Sequence, residues 1–111
     1  MQLNLLVLRC KNIEKSKEFY EKLGLKFIKE QHGKSPVHYL TYVGEMVMEL
    51  YPLKDGYNIE NSRLGFSLVV EDIHSYLDEA SIEIVSEYEF DDKSIVIVVD
   101  PDGRKIELTG E

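Results

Sequence analysis

Residues 4–13 have the sequence Asn4-Leu-Leu-Val-Leu-Arg-Cys-Lys-Asn-Ile13, and residues 64–73 have the sequence Leu64-Gly-Phe-Ser-Leu-Val-Val-Glu-Asp-Ile73. Each stretch predicts a β-strand that leads directly into a helix, because an apolar run is followed by a side chain suited to capping a helix. Leu8 aligns with Leu68 and Asn12 with Asp72, 60 positions apart in each case. Such self-similarity predicts two copies of one supersecondary unit.

The two halves also end alike, each on a strand that closes with Glu-Leu. Glu49 precedes Leu50 in the first half, and Glu107 precedes Leu108 in the second, 58 positions apart. If the halves are related by a pseudo-two-fold axis, equivalent carboxylates become candidates for one shared site.

The remaining pattern predicts an α+β fold in which βαβββ occurs twice. The predicted strands cover 3–10, 25–30, 38–43, 45–51, 64–70, 82–90, 94–99 and 104–109. We assign 1–53 to the first unit, 54–62 to a linker and 63–111 to the second unit. The two units together form one structural domain. Each sheet needs a helix on one face, so we expect the curved sheets to join around a groove.

Composition narrows the classes of function. The chain has 111 residues, a net charge of −8 and a pI near 4.9, which argues against nucleic acid as a partner. It has no apolar stretch long enough for a membrane span, and its N-terminus lacks the signal-peptide pattern. The single Cys10 suits a reducing compartment. We therefore expect a cytoplasmic protein.

Two motifs in this order of elements carry a family resemblance. The first is Ser16-x-x-Phe19-Tyr20-x-x-Leu23-Gly24, and the second is Asp100-Pro-Asp-Gly-Arg-Lys-Ile-Glu107-Leu108. With the repeat, they make the chain resemble the vicinal oxygen chelate superfamily, which includes glyoxalase I, bleomycin resistance proteins and extradiol dioxygenases. That family hosts enzymes and plain binding proteins, so the resemblance implies the fold and leaves the activity open.

The resemblance implies a particular metal centre, which this sequence does not complete. In the family's metal enzymes, ligands come from the first and last strands of each unit. The last-strand positions match Glu49 and Glu107, but the first-strand positions fall on Leu5 and Gly65, which cannot coordinate a metal. We expect no metal or other cofactor; a divalent metal, if bound, would use Glu49 and Glu107.

Strand alternation predicts which neighbours these carboxylates have. Tyr51 and Arg9 should share a face with Glu49, and Lys105 should share one with Glu107. Converging carboxylates require a cation, a proton or basic neighbours. A metal or a cationic ligand would satisfy them, but so would salt bridges from Arg9 and Lys105, or plain hydration.

The three histidines differ in their prospects. His38 lies on a predicted strand and joins the groove if its side chain points inward, whereas His32 falls in a loop and His74 near the start of the second helix. No short histidine spacing typical of an autonomous metal site occurs. Five tyrosines at positions 39, 42, 51, 57 and 88 can supply aromatic walls for an organic ligand, although half-buried strands also favour tyrosine.

These observations favour a small-molecule-binding protein of this superfamily that lacks the standard metal centre, with a cationic organic ligand. The alternative is a metal-dependent lyase or isomerase of the glyoxalase type, rebuilt around Glu49, Glu107 and His38. A dioxygenase-related activity or a regulatory module with a vestigial groove also stays open. We expect a homodimer with neither nucleic acid nor a membrane as partner, since sheet edges favour pairing.

Overall fold

The structure is a computed structural model that describes residues 1–110. The first unit consists of β1 (Leu5–Cys10), α1 (Ile13–Lys22), β2 (Ile28–Glu30), β3 (His38–Val43) and β4 (Met46–Pro52). The second consists of β5 (Arg63–Leu68), α2 (Ile73–Glu79), β6 (Ser86–Phe90), β7 (Lys93–Val99) and β8 (Lys105–Gly110). The predicted α+β class with two βαβββ units is confirmed.

Both helices start where the sequence predicts them to start. The Asn12 side chain accepts hydrogen bonds from the backbone N–H groups of Glu14 and Lys15, at 3.0 and 3.2 Å. The Asp72 side chain accepts hydrogen bonds in the same way from the backbone N–H groups of His74 and Ser75, as an N-cap residue does. Neither helix within residues 1–110 combines the length and apolar character needed to cross a bilayer.

Each unit forms its own four-stranded mixed sheet. The strand order is β1-β4-β3-β2 in the first and β5-β8-β7-β6 in the second. The first strand of each unit runs parallel to the last, and the other pairs are antiparallel. The chain divides between Ile59 and Glu60 into two compact units.

A helix covers one face of each sheet and creates the core there. The buried apolar side chains of the first unit include Leu8, Cys10, Tyr20, Met48 and Leu50. Those of the second include Leu77, Val96, Val98, Ile106 and Leu108. Since side chains alternate along a strand, the opposite face of each sheet carries the residues between these.

Two predicted strands are much shorter than the sequence pattern indicates. The predicted strand 25–30 contains only β2, because the backbone before it continues the helix end: the Leu25 N–H donates to the Tyr20 carbonyl. The predicted strand 82–90 contains only β6, and the Ile82 N–H likewise donates to the Leu77 carbonyl. In both places a backbone group that a strand would use is bound to the helix.

The strand register shows that the repeat is uneven. In the sheets, Val7 pairs with Glu49 and Gly65 with Glu107, so equivalent strand positions lie 58 apart. The helix caps are 60 apart, because three residues separate β5 from its cap and only one separates β1 from its cap. The predicted superposition of Leu8 on Leu68 is therefore wrong by two residues within the strands. Because side chains alternate along a strand, a shift of two residues leaves each side chain on the same face.

The predicted turn 100–103 is present and leads into a buried charge cluster. Asp100 Oδ1 accepts from the backbone N–H groups of Asp102 and Arg104, both at 2.9 Å, and Gly103 adopts a φ of 90°. The Arg104 side chain is buried and binds Asp100, Asp102 and Glu60. Burial alone would lower the pKa of Arg104, but hydrogen bonds to Glu60 and Asp100 raise it above its ordinary value. The family motif thus supplies a structural ion cluster.

Candidate functional site

Glu49 lies on the sheet face that α1 does not cover, here called the Glu49 face. Its neighbours follow from the strand register, in which Val7 and Leu40 flank Glu49 and Glu30 pairs with His38. The face is made of Leu5, Val7, Arg9, Ile28, Glu30, His38, Leu40, Tyr42, Val47, Glu49 and Tyr51. The predicted neighbours Arg9, Tyr51 and His38 all belong to it.

Aromatic and cationic groups stack along one end of this face. The His38 ring lies parallel to the Tyr51 ring, with centroids 4.2 Å apart and an angle of 8°. The Arg9 guanidinium lies 5.0 Å from the Tyr51 centroid, a cation–π distance, and donates to the Pro52 carbonyl. The His32 ring is 5.2 Å from the His38 ring. Burial and then the nearby Glu49 charge raise the pKa of Tyr51.

His38 is fully buried, and its two ring nitrogens have different surroundings. Nδ1 lies 3.2 Å from the Pro36 carbonyl oxygen, which can only accept, so Nδ1 carries a proton. Nε2 has no hydrogen-bond partner among residues 1–110, although Glu30 Oε1 lies 3.3 Å away and Glu49 Oε2 3.6 Å away. The buried Nε2 atom therefore lies close to two carboxylates without a hydrogen bond to either.

Glu49 lacks an arginine or lysine partner within the described chain. Its side chain is 15% exposed, and the ion-pair contact it makes is with His38. Arg9, which the sequence offers as a neutralising partner, instead lies over Tyr51. The Glu49 carboxylate is thus partly buried and forms no salt bridge with an arginine or lysine among residues 1–110, so a cationic ligand would stabilise it.

The rest of the Glu49 face is apolar and open. Ile28 is 60% exposed, Tyr42 61% and Leu5 50%. These side chains surround the Glu49–His38 cluster on three different strands. Exposed apolar surface around a few polar groups is typical of a ligand site.

The equivalent face of the second unit, here called the Glu107 face, is arranged differently. It carries Arg63, Gly65, Ser67, Ser86, Tyr88, Phe90, Ile95, Ile97, Val99, Lys105, Glu107 and Thr109. Arg63 Nη1 binds Glu107 Oε2 at 2.9 Å, and the Tyr88 hydroxyl donates to Glu107 Oε1. Within residues 1–110, Lys105 forms no ion pair with it.

The protein itself compensates the Glu107 charge. The hydrogen bond from Tyr88, followed by that from Arg63, lowers the pKa of Glu107. The same bond raises the pKa of Tyr88. A salt bridge from Lys105 was one of the alternatives that the sequence left open, and the structure forms it from Arg63, the residue that pairs with Lys105 in the strand register.

The family's metal centre does not fit these residues. The first-strand residues opposite the two carboxylates are Val7 and Gly65, neither of which offers a ligand atom. The structure moves the first of these positions from the predicted Leu5 to Val7, on the same face. Glu107 is already held by Arg63 and Tyr88. That Glu49 and Glu107 share one groove stays a prediction.

The sequence pattern did not single out Glu30 or Arg63 as site residues, and His32, expected in a loop away from the site, lies beside Glu30. Glu30 and His32 flank the end of β2, and the antiparallel pairing of Glu30 with His38 brings them to the Glu49 face. The i, i+2 spacing of Glu30 and His32 was an available signal. Among the tyrosines, Tyr39 lies on the helix side instead, where it donates to Glu14; this bond and then burial raise the pKa of Tyr39 to about 12.

Comparison with known proteins places this geometry in a family. A model of the Glyoxalase/Bleomycin resistance protein/Dioxygenase superfamily matches residues 2–108. A search of curated proteins finds no match.

Solved structures agree in fold. A glyoxalase family protein from Enterococcus faecalis is 26% identical, with 97% of this chain and 96% of that chain covered and a TM-score of 0.69. Virulence protein STM3117 from Salmonella typhimurium is 22% identical over 99% and 96% of the chains, with a TM-score of 0.76. A lactoylglutathione lyase from Agrobacterium tumefaciens is 12% identical over 98% and 92%, with a TM-score of 0.66.

Proposed function

The chain belongs to the Glyoxalase/Bleomycin resistance protein/Dioxygenase superfamily, and on that premise we propose that it binds a small organic cation on the Glu49 face. The observation that carries this proposal is a partly buried Glu49 without an arginine or lysine partner among residues 1–110. A cationic group seated there would compensate the charge. The acidity of the whole chain adds to the attraction.

The surroundings of Glu49 supply the apolar part of such a site. Tyr42, Leu5 and Val7 offer exposed apolar surface, and the exposed Tyr42 ring also offers an aromatic face. Aromatic faces also attract organic cations through their quadrupole. The ligand class that matches both features is an ammonium or amidinium group attached to a ring or short chain.

The proposal is tested with matched organic ions on tag-free protein in the presence of EDTA, which removes metal effects. Phenyltrimethylammonium and benzenesulfonate carry the same ring with opposite charges. We expect the cation to raise the melting temperature and the anion to have no effect, with the difference shrinking at high salt. Equal or stronger stabilisation by the anion would mean that Arg9 controls the site instead.

Matched variants locate the binding. Glu49→Gln should weaken cation binding in calorimetry by at least about tenfold, equivalent to about 1.4 kcal/mol. Glu18→Gln makes the same charge change on an exposed helix position of the same unit and should leave binding unchanged. A Glu49→Gln variant that binds as tightly as the parent would refute the proposal.

A lyase or isomerase is the second candidate, and the closeness of His38 to Glu49 favours it. A carboxylate 3.6 Å from an imidazole nitrogen is a suitable pair for general acid–base transfer of a proton. Formation of lactoylglutathione, the activity that the name of the Agrobacterium tumefaciens neighbour indicates for that protein, gives a direct assay. Turnover that Glu49→Gln abolishes and Glu18→Gln retains would favour this candidate.

The expected homodimer is likewise a proposal. Each unit has two sheet edges, β1 and β2 in the first and β5 and β6 in the second, and open edges favour association. Light scattering on the purified protein should give twice the mass of the 12.9 kDa chain.

A further inference from the structure

The end of the Glu49 face contains a group of metal-ligand side chains that the family's standard centre does not include. Glu30, His32 and His38 each place one ligand atom within 4.8 Å of the others. Glu30 Oε1 lies 3.3 Å from His38 Nε2 and 3.6 Å from His32 Nε2. Two ligands bound to one zinc ion in tetrahedral geometry lie about 3.3 Å apart, so these spacings already approach those of a bound site.

The buried nitrogen of His38 is the independent sign of a missing ligand. Its Nδ1 proton is directed to the Pro36 carbonyl, so in the neutral ring Nε2 carries a lone pair that points at Glu30 and Glu49. A lone pair and two carboxylates repel one another, and His38 is fully buried, so water does not relieve the repulsion. A hydrogen bond from Nδ1 to a backbone carbonyl is also the arrangement that orients histidines bound to metals.

We propose that Glu30, His32 and His38 bind one divalent transition metal of the zinc class. Two imidazoles and one carboxylate suit zinc, cobalt or nickel, whereas magnesium and calcium prefer oxygen ligands alone. The nearby Glu49 carboxylate adds negative charge without being needed as a ligand. Three protein ligands would leave a coordination position for a further ligand, and the His32 side chain, 69% exposed, makes the group accessible from solvent.

The alternative source of positive charge is a proton on Nε2, which would make His38 an imidazolium paired with Glu30 and Glu49. The two cases differ in whether a metal ion is bound and in whether His32 takes part. A proton needs nothing from His32, whose side chain is exposed, whereas a metal ion uses it as a ligand. His32→Ala is therefore the informative variant, and it leaves the buried part of the unit intact.

The experiment uses the tag-free 111-residue protein, stripped with EDTA and dialysed, in a calorimetric titration with Zn²⁺. We expect saturable binding of one ion per chain, at least a tenfold loss in His32→Ala and in Glu30→Gln, and no response to Mg²⁺. His74→Ala is the matched control, because His74 also lies beside two carboxylates, Glu87 and Asp72, but is half exposed and has hydrogen-bonded partners. It should bind zinc as the parent does.

Co²⁺ provides a readout of the coordination itself. A four- or five-coordinate cobalt site with nitrogen and oxygen ligands gives visible absorption bands, which should be present in the parent and His74→Ala and absent in His32→Ala. The proposal is overturned if zinc does not bind saturably, if His32→Ala binds as tightly as the parent, or if His74→Ala loses as much affinity. Since the organic-cation test is run in EDTA, failure of either proposal leaves the other intact.

Discussion

The Glu49 face and the Glu107 face hold equivalent carboxylates in chemically different surroundings. Glu107 accepts hydrogen bonds from Arg63 and Tyr88, whereas Glu49 Oε2 lies 3.6 Å from Nε2 of the buried His38. Both carboxylates sit opposite an apolar first-strand residue, Val7 or Gly65. The backbone repeat is thus retained while the charge compensation differs.

This difference means that binding a ligand costs more at the Glu107 face than at the Glu49 face. A ligand at Glu107 must first displace Arg63 and Tyr88, so binding there has an added cost. A cation at Glu49 displaces no arginine or lysine salt bridge among residues 1–110 and adds positive charge beside a carboxylate whose ion-pair contact is with His38. The first unit is therefore the better candidate for ligand binding, whereas in the second unit Arg63 and Tyr88 already bind the equivalent carboxylate.

The largest expected effect comes from removing an arginine that pairs with carboxylates in the second unit. Arg104→Met should lower the free energy of unfolding by about 3–5 kcal/mol, because it leaves the buried Asp100 carboxylate without its cation. Urea unfolding followed by circular dichroism measures the loss. Arg63→Met removes an arginine that is 50% exposed and should cost no more than about 1 kcal/mol. Equal losses in the two variants would mean that burial does not separate these arginines.

A second prediction concerns pH and the Tyr88–Glu107 bond. The pKa of Glu107 is lowered in the folded state, so its stabilising contribution is present above the ordinary glutamate range and is lost as pH falls through the lowered pKa. Tyr88→Phe should therefore lower the urea midpoint at pH 7 and have progressively less effect toward pH 3. The exposed Tyr57→Phe is the control. A loss that is constant across this range would contradict the assigned bond.

The smallest expected effect separates the two cations that the sequence offered as neutralising partners. Arg9→Met should lower the free energy of unfolding by about 0.5–1 kcal/mol through the lost cation–π contact with Tyr51. Lys105→Met should change it by no more than about 0.5 kcal/mol, as is usual for an exposed side chain. The reverse order would show that Lys105, and not Arg9, interacts with its face.

Local patterns in the sequence were sufficient for most of the fold. The N-caps Asn12 and Asp72 and the turn 100–103 depend on hydrogen bonds between residues two to four positions apart, which the sequence specifies directly. The face of each side chain was also predictable, because alternation along a strand survives a register error of two residues. Strand lengths were less predictable: residues 25–27 and 82–85 have strand-like composition, but the helix ends accept the backbone N–H groups of Leu25 and Ile82.

The sequence by itself determined two βαβββ units, their family and the faces on which Glu49 and Glu107 lie. Only the tertiary structure decided what each carboxylate meets, since those partners are brought together by strand pairing across long separations. Arg63 reaches Glu107 from 44 residues away along the chain, and the pairing of β2 with β3 brings Glu30 and His32 to His38. Local propensity fixes the direction of a side chain, but register between strands fixes its neighbours, and the neighbours set the chemistry.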